Sequence, residues 1–181
     1  MLLAIGILCS CENDVKEVAS LTQNKKEPNS KGKNVSLIYS ESSDVKVKAT
    51  APIMEEYGVD ADKYMEMKKG IKVQFFDSLQ NRTSTLTSKY AIHWTGKRIM
   101  EAKNDVVVVN EKGEKLNTEH LIWNEDSAKI YSDKFVKITT QDEVIMGEGM
   151  EANQDFSKWK IHKIKGTINV KEEEEDSLIT D

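Results

Sequence analysis

Cysteine is almost absent from this sequence of 181 residues, and both cysteines, Cys9 and Cys11, lie within its first eleven positions. If the chain is cleaved before Cys11, no thiol remains for a disulfide, a redox pair or a cysteine nucleophile. An exported domain without disulfides must be held together by its core alone. The sequence also lacks an apolar run of about 20 residues, the length that a membrane-spanning helix requires.

An excess of basic residues is missing as well. The formal net charge is −5 and the pI is about 5.4. Nucleic-acid binding needs a basic surface, so this charge argues against a nucleic-acid partner. Part of the acidic excess is local, because residues 172–176 are all glutamate or aspartate.

Residue clusters typical of catalysis or metal binding are also missing. His93, His120 and His162 stand alone in strand-like sequence, and none has the spacing of metal ligands. The run Gly147-Glu148-Gly149 is not followed by a helical pattern, so it fits a bulge or close packing better than a phosphate loop. We therefore predict no catalytic residues, no metal and no cofactor.

The first feature that the sequence does contain is a short apolar start that ends at a cysteine. Residues 1–11 read MLLAIGILCSC, and the chain then becomes polar. This pattern is typical of a bacterial lipoprotein signal. We predict that residues 1–10 are removed and that Cys11 carries a lipid that holds the protein at a membrane outside the cytoplasm. The alternative is a cytosolic protein with an apolar start.

Composition divides the rest of the chain into three parts. Residues 11–34 are polar and predict a flexible, lipidated tether. Residues 35–170 are rich in apolar and β-branched residues and predict one folded domain. Residues 171–181 predict an acidic, disordered tail.

The folded part reads as a series of short strands. Ile71, Val73 and Phe75 alternate with polar residues, and residues 86–94 alternate in the same way, which is typical of half-buried strands. Turn signals follow at short intervals, so we predict an all-β sandwich, barrel or roll. One helix is predicted over residues 60–69, with Asp60 as its N-cap and Gly70 as its stop.

The alternation changes phase in two places. Apolar residues shift from even to odd positions between Leu116 and Leu121, and from odd to even between Ile161 and Ile164. Each change predicts a β-bulge or a tight link between two strands. Bulges bend sheets, and a bent sheet can enclose a trough between its halves.

Four runs within the domain carry a family resemblance. They are GIKVQFFD at 70–77, VVVVNEKG at 106–113, LNTEHLIW at 116–123 and IMGEGM at 145–150. Their order and spacing resemble the LptC family, the periplasmic component of the lipopolysaccharide exporter. The resemblance implies an open antiparallel β-jelly-roll for the domain.

The resemblance also implies a function without catalysis. Members of this family receive lipopolysaccharide from an inner-membrane ABC transporter and pass it to a periplasmic bridge of similar jelly rolls. The best-known members carry a transmembrane helix, whereas this chain has a predicted lipid anchor. Glu12, the acidic residue after Cys11, favours retention at the inner membrane. We therefore expect a periplasmic protein that is lipid-anchored, most simply to the inner membrane.

Two sets of residues are candidates for contact with lipid and partner. The strongest apolar faces predict an inner lining that binds lipopolysaccharide, formed by Tyr90, Ile92, Trp94, Leu121, Trp123 and Met146. The last strand-like segment predicts an edge that docks the bridge protein, with apolar contacts from Ile161, Ile164 and Ile168. The alternatives are that the first set fills a dry core and that the second only completes the sheet.

Two other functions compete with the carrier. The chain is alternatively a lipoprotein β-sandwich that recognises a protein or a glycan, with an ordinary filled core. A periplasmic hydrolase is the third reading, and the missing nucleophile, triad and metal cluster weigh against it.

Overall fold

The computed structural model describes residues 27–169, and most of them lie in β-strands of one antiparallel sheet. The strands are β1 (Ser30–Glu41), β2 (Asp44–Tyr57), β3 (Tyr64–Met67), β4 (Ile71–Phe76), β5 (Arg82–Ser88), β6 (Tyr90–Trp94), β7 (Ile99–Asn110), β8 (Lys115–Asn124), β9 (Lys129–Thr139), β10 (Glu143–Asn153) and β11 (Trp159–Asn169). The predicted all-β class and open antiparallel roll are confirmed. The predicted leader, Cys11 and the acidic tail lie outside the described residues.

The strands cross the sheet in nearly the order of the sequence. β4 pairs with the first half of β2 and β3 with its second half, so β3 and β4 share one strand position. β5 and β6 share the next position, each against one half of β7. β7 to β11 continue as an antiparallel meander. Within the described residues β1 pairs only with β2 and β11 only with β10, so each of them forms an edge.

Alternating burial defines one inner face of the sheet. In β4, Ile71, Val73 and Phe75 are buried while Lys72 is exposed. Val73 lies opposite Ala49 of β2, which is also buried, because residues that pair across an antiparallel ladder point to the same face. The period-two pattern predicted for this strand is confirmed.

A row of bulges and breaks crosses the sheet from β2 to β10, and we call it the crease. It consists of residues 51–54 of β2, the turn at 68–70, the break at 89, and residues 103–106, 118–122, 132–135 and 148–150 of β7 to β10. The first predicted phase change coincides with a register shift, between Thr118 and Ile122 of β8. The second does not, because β11 keeps one register against β10 from Ile161 to Ile164 and shifts only between Ile164 and Gly166. Bulges bend the strands that contain them, so a row of them folds the whole sheet.

Small hydroxyl side chains satisfy backbone groups that the crease would otherwise leave unpaired. Ser88 donates to the carbonyl of Tyr90 at 2.9 Å, and Thr118 donates to the carbonyl of Phe135 at 2.9 Å. Ser132 accepts the backbone N–H two residues further on at 3.1 Å. All three hydroxyl residues are buried, where an unpaired polar group would destabilise the fold.

The inner faces of the two halves pack against each other. The half on one side of the crease contains β4 and β5, and the other contains β3 and β6, each with the adjoining segments of the long strands; we call them the β4–β5 half and the β3–β6 half. Val73 of the β4–β5 half and Leu121, which pairs with the segment of β7 beside β6, belong to one buried core. Across the interior, the rings of Phe75 of β4 and Trp123 of β8 meet edge to face, with centroids 5.4 Å apart. The protein is thus a sheet folded along the crease, with an apolar interior between its halves.

The helix predicted over residues 60–69 is wrong. The structure has a 3-10 turn at Asp60–Asp62 and then strand β3. Asp60 has φ 47°, so it lies in the left-handed region and is no N-cap. Tyr64 stacks on Tyr57 of β2, with ring centroids 5.2 Å apart, and Met67 is 1 % exposed in the core. These tertiary contacts override the local helical propensity.

The strand predicted over residues 86–94 is interrupted. β5 ends at Ser88 and β6 begins at Tyr90, because the N–H of Lys89 turns away to bond the carbonyl of Asn104 at 2.9 Å. Leu86 points to the inner face, whereas the even-numbered residues after the break, from Tyr90 to Trp94, point to the opposite face.

The tether ends earlier than predicted. β1 starts at Ser30, so residues 30–34 belong to the sheet rather than to a flexible segment. Lys31 of β1 makes an ion pair with Glu55 of β2 at 2.6 Å. An edge strand is exposed on most of its surface, so its polar composition looks like that of a linker.

Candidate functional site

The candidate site is the apolar interior of the folded sheet and the opening that leads to it. Most core residues are almost completely buried. A smaller group packs against the core while staying partly exposed, and it consists of Val35, Met65, Met100, Trp123 and Trp159. Of these five, Trp123 also lines a cleft between the two halves.

Opposite the crease the two halves separate around a cleft of about 620 Å³, which we call the mouth. The β4–β5 half contributes Val47, Phe75 and the turn that carries Asp77. The β3–β6 half contributes Trp123 and the turns at 125–128 and 154–155. Val47 and Phe75 are buried core residues, so the floor of the mouth is continuous with the apolar interior.

Charged groups surround this apolar floor. Arg98 lies between two carboxylates, with Nε 2.5 Å from Asp126 and a terminal nitrogen 3.6 Å from Glu125. The hydrogen bond to Asp126 and the nearby charge of Glu125 raise the pKa of Arg98 above its ordinary value. Asp77 accepts the backbone N–H groups of Asn81 and Leu79 at 2.8 Å, and these donors lower the pKa of its carboxyl.

Two polar atoms in the wall of the mouth are buried and have no hydrogen-bond partner. They are Nε1 of Trp123 and Oγ1 of Thr83. Nε2 of His93 is also poorly aligned for a hydrogen bond, but it lies 2.7 Å from a carboxylate oxygen of Glu125. An indole N–H is a donor only, so Trp123 presents an unmet need for an acceptor.

A plug closes the other side of the opening. Phe156, in the turn between β10 and β11, is 0 % exposed and belongs to the core. Its carbonyl accepts the side-chain N–H of Asn110 at 3.4 Å. Trp159 bridges the same gap by donating to Glu114 at 3.4 Å. Both contacts join the far ends of the two halves, and they do so on the side of the β10–β11 turn.

The structure divides the six predicted lining residues between the two faces of the sheet. Leu121 and Trp123 point inward, with Leu121 1 % exposed. Tyr90, Ile92 and Trp94 point to the opposite face, because their neighbour Ala91 pairs with the core residues of β3 and β7. The break at Lys89 produces this inversion.

Met146 also lies on the face opposite the core. Its neighbour Ile145 pairs with Ile138, which is 0 % exposed, whereas Met146 pairs with Lys137. Met146 and Met150 have the same parity in the sequence, but Gly149, with φ 74°, sits in the bulge between them and reverses the phase. Met150 alone of the two is in the core.

Polar contacts hold the outward-facing aromatic residues. Tyr90 donates to Glu66 at 2.5 Å, and Trp94 donates to Glu101 at 3.2 Å. Burial and the bond to Glu66 raise the pKa of Tyr90. The ring of Trp94 lies 5.0 Å from that of Tyr64. These residues form a structural cluster on the outside of the fold.

The same outer face carries a strongly held carboxylate. Glu55 accepts from Lys31 at 2.6 Å, from Lys68 at 2.8 Å and from the hydroxyl of Tyr57 at 3.0 Å. These bonds, with that from Lys31 the largest cause, lower the pKa of Glu55 to about 2. The contact ties β1 to the rest of the sheet.

The three residues predicted for the partner edge differ in exposure. Ile161 is buried in the core at 7 % exposure, whereas Ile164 and Ile168 are 63 % and 56 % exposed. The other edge strand also exposes apolar side chains, since Ile38 is 61 % and Tyr39 51 % exposed. Docking at either edge stays a prediction.

Sequence reasoning missed the plug and two accessible inner residues. Phe156 follows Gln154-Asp155 in a polar turn, and a lone aromatic among turn residues was its only signal. Met65 lies in the segment that was predicted as helix. Met100 lies one residue inside β7, where the sequence offers no clear alternation.

Within residues 27–169, no group of three or more metal-binding side chains is arranged to hold an ion. No helix in this part of the chain is long and apolar enough to span a membrane.

Comparison with known proteins identifies one family. A family model described as lipopolysaccharide-assembly, LptC-related, matches residues 1–169. A search of curated proteins finds no match.

Proposed function

The chain belongs to the LptC-related family of lipopolysaccharide assembly and therefore takes part in lipopolysaccharide transport; from this premise we propose that it is a non-enzymatic carrier whose folded sheet holds the lipid's acyl chains on its inner face. The supporting observation is the apolar interior that reaches solvent at the mouth, between Val47, Phe75 and Trp123. Polar head groups stay outside, where the rim is charged.

The hydrophobic effect makes such binding favourable. Removing apolar surface from water stabilises by about 25 cal/mol per Å², or about 0.8 kcal/mol for each buried CH₂ group. An acyl chain that inserts between the halves also covers the accessible parts of Met100 and Trp123. Binding is weakest where the halves already fill the space between them, so the chains enter at the mouth and separate the halves from there.

The two edge strands suit transfer between similar domains. Each of β1 and β11 has one unpaired side within the described residues, and a neighbouring jelly roll can add a strand there. We assign β11, with Ile164 and Ile168, to the periplasmic jelly-roll bridge. The donor is an inner-membrane ABC transporter, and a lipid on Cys11 anchors the domain at the inner membrane, on the periplasmic side.

Photo-crosslinking at two adjacent residues tests the proposal. Trp123 and Ile122 are neighbours on β8, both apolar and both partly buried, and they point to opposite faces. A photo-reactive amino acid at position 123 should capture lipopolysaccharide in living cells, and the same group at position 122 should not. Equal capture at both positions, or capture only at 122, contradicts an inner binding face. Capture of a protein or a glycan instead of lipid at position 123 supports the alternative binding module.

A further inference from the structure

The size and floor of the mouth fit the junction between the head and the chains of an amphiphile. Its volume of about 620 Å³ is within the range of ligand pockets, roughly 300–1,000 Å³. Phe75 is 4 % exposed and forms part of the floor, in edge-to-face contact with Trp123. An alkyl chain on this floor points into the interior, and its head group then lies at the charged rim.

The charge of the rim is not suited to an anionic head group. Five carboxylates line the mouth, and they are Glu41, Asp77, Glu125, Asp126 and Asp155. Only two permanent cations, Lys46 and Arg98, face them. Both are already engaged, Arg98 by Glu125 and Asp126, and Lys46 by Asp44 at 3.4 Å. The rim therefore repels phosphate or carboxylate and attracts a positive charge.

The unpaired indole N–H of Trp123 adds a second requirement for a ligand of the mouth, which is a hydrogen-bond acceptor. Nε1 of Trp123 is buried beside the apolar floor and has no acceptor. A carbonyl oxygen at the base of an acyl chain, from an ester or an amide, is an acceptor at this depth. The unpaired hydroxyl of Thr83, on the opposite wall of the mouth, offers a second polar contact.

We propose that the mouth binds the polar end of a lipid that carries a protonated amine in its head group, with a chain carbonyl accepting from Trp123. This inference rests on the proposed carrier function and narrows its ligand. Lipids whose head-group phosphates are masked by amines enter here more readily than lipids with bare phosphates.

Three matched amphiphiles test the charge preference with the full chain. N-dodecanoyl ethylenediamine, N-dodecanoyl ethanolamine and N-dodecanoyl taurine share one chain and one amide carbonyl, and they end in an amine, a hydroxyl and a sulfonate. By titration calorimetry below their micelle concentrations, the amine should bind about tenfold more tightly than the alcohol, and the sulfonate most weakly. The preference should shrink as salt is added. Equal affinities, or a preference for the sulfonate, would overturn the proposal, and sulfonate binding that appears only with Mg²⁺ would replace it with cation bridging.

Two variants locate the interaction. Glu41→Lys reverses one exposed rim charge and should reduce the ratio of amine to alcohol affinity at least threefold, whereas Glu111→Lys, on a turn outside the mouth, should leave it unchanged. Trp123→Phe keeps an aromatic ring but removes the N–H, so it should weaken all three ligands by about three- to tenfold. An unchanged affinity in Trp123→Phe would refute the carbonyl contact.

The failure of this inference can be distinguished from the failure of the carrier function. If position 123 captures lipopolysaccharide in cells while the three amphiphiles show no charge preference, the carrier function stands and the amine preference is wrong. If neither experiment detects lipid, both proposals fail.

Discussion

Replacing Phe156 with alanine tests whether the β10–β11 turn is the plug that closes one side of the mouth. The ring is 0 % exposed, and the residue has φ 60°, a conformation that bulky side chains rarely adopt. Such a backbone persists only where surrounding contacts enforce it. The buried ring and the bond from Asn110 to the Phe156 carbonyl are those contacts.

The expected loss of stability is large. Truncating a fully buried phenylalanine to alanine costs about 3–5 kcal/mol. A domain of this kind is stable by about 5–15 kcal/mol, so the variant loses a large part of its stability. Phe156→Gly should lose less than Phe156→Ala by about 1 kcal/mol, because glycine adopts a positive φ without the steric cost that alanine has.

Urea unfolding measures both losses. Leu79→Ala is the control, because Leu79 is 82 % exposed and a surface substitution changes stability by about 0.5 kcal/mol or less. If Phe156→Ala costs less than about 1 kcal/mol, the ring is not seated in the core. If Phe156→Gly is less stable than Phe156→Ala, the left-handed backbone at this position is refuted.

Three further predictions concern the outer face, the crease and the edge. Glu55 has a pKa lowered from 4.5 to about 2 in the folded state, so its contribution to stability is present above pH 4.5 and is lost as the pH falls towards 2. The urea midpoint of Glu55→Gln should therefore fall less between pH 4.5 and pH 2 than that of the original protein. An identical fall in the variant and the original protein would contradict the lowered pKa. Thr118→Val leaves the partly buried carbonyl of Phe135 without its donor and should cost about 1 kcal/mol in urea unfolding, whereas the exposed Thr87→Val should be near neutral. Ile164→Lys should weaken binding of the purified jelly-roll bridge to this protein. Val59→Lys, a control at a residue that is also exposed, should bind like the original protein. Full binding by both variants would exclude β11 as the docking edge.

Period-two alternation was sufficient to predict the class of the fold and several strands. It worked in β4 because that strand lies wholly on one side of the crease, so Ile71, Val73 and Phe75 keep one phase. Leu121 and Trp123 share the inner face because they lie in one unbroken register against β7, opposite Ala102 and Met100. The resemblance, carried by runs from the same strands, predicted the open roll and the family.

The facing of Tyr90 and Met146 could not be predicted from local sequence. Each inversion depends on a break or bulge whose position is set by another strand. Lys89 leaves the strand because its N–H bonds Asn104 on β7. Gly149 does mark the bulge of β10 in the sequence. Only the register against β9, however, shows that even-numbered residues before Gly149 and after it point to opposite faces. Side-chain period is 2, so one extra residue is enough to reverse a whole face.

The predicted helix failed because local signals competed with long-range contacts. Asp60 and Gly70 are ordinary helix boundary residues, and the segment between them has helix-forming side chains. As β3, however, the segment pairs with β2 and β6, buries Met67 and stacks Tyr64 on Tyr57. These contacts join residues that are distant in the sequence, and only the assembled sheet provides them.

For the carrier function proposed above, the crease and the mouth together address the difficulty of keeping an apolar binding surface in water. A large apolar surface is a liability when it is exposed, and folding the sheet lets the two halves cover each other when no lipid is bound. An acyl chain of twelve CH₂ groups that replaces this mutual cover gains about 10 kcal/mol from its own burial, which is comparable to the total stability of a domain. In the proposed carrier, insertion at the mouth would therefore offset the loss of contact between Phe75 and Trp123 without opening the crease. In the proposed carrier, the hydroxyl bonds of Ser88, Thr118 and Ser132 would keep the bend fixed while the contact between Phe75 and Trp123 opens.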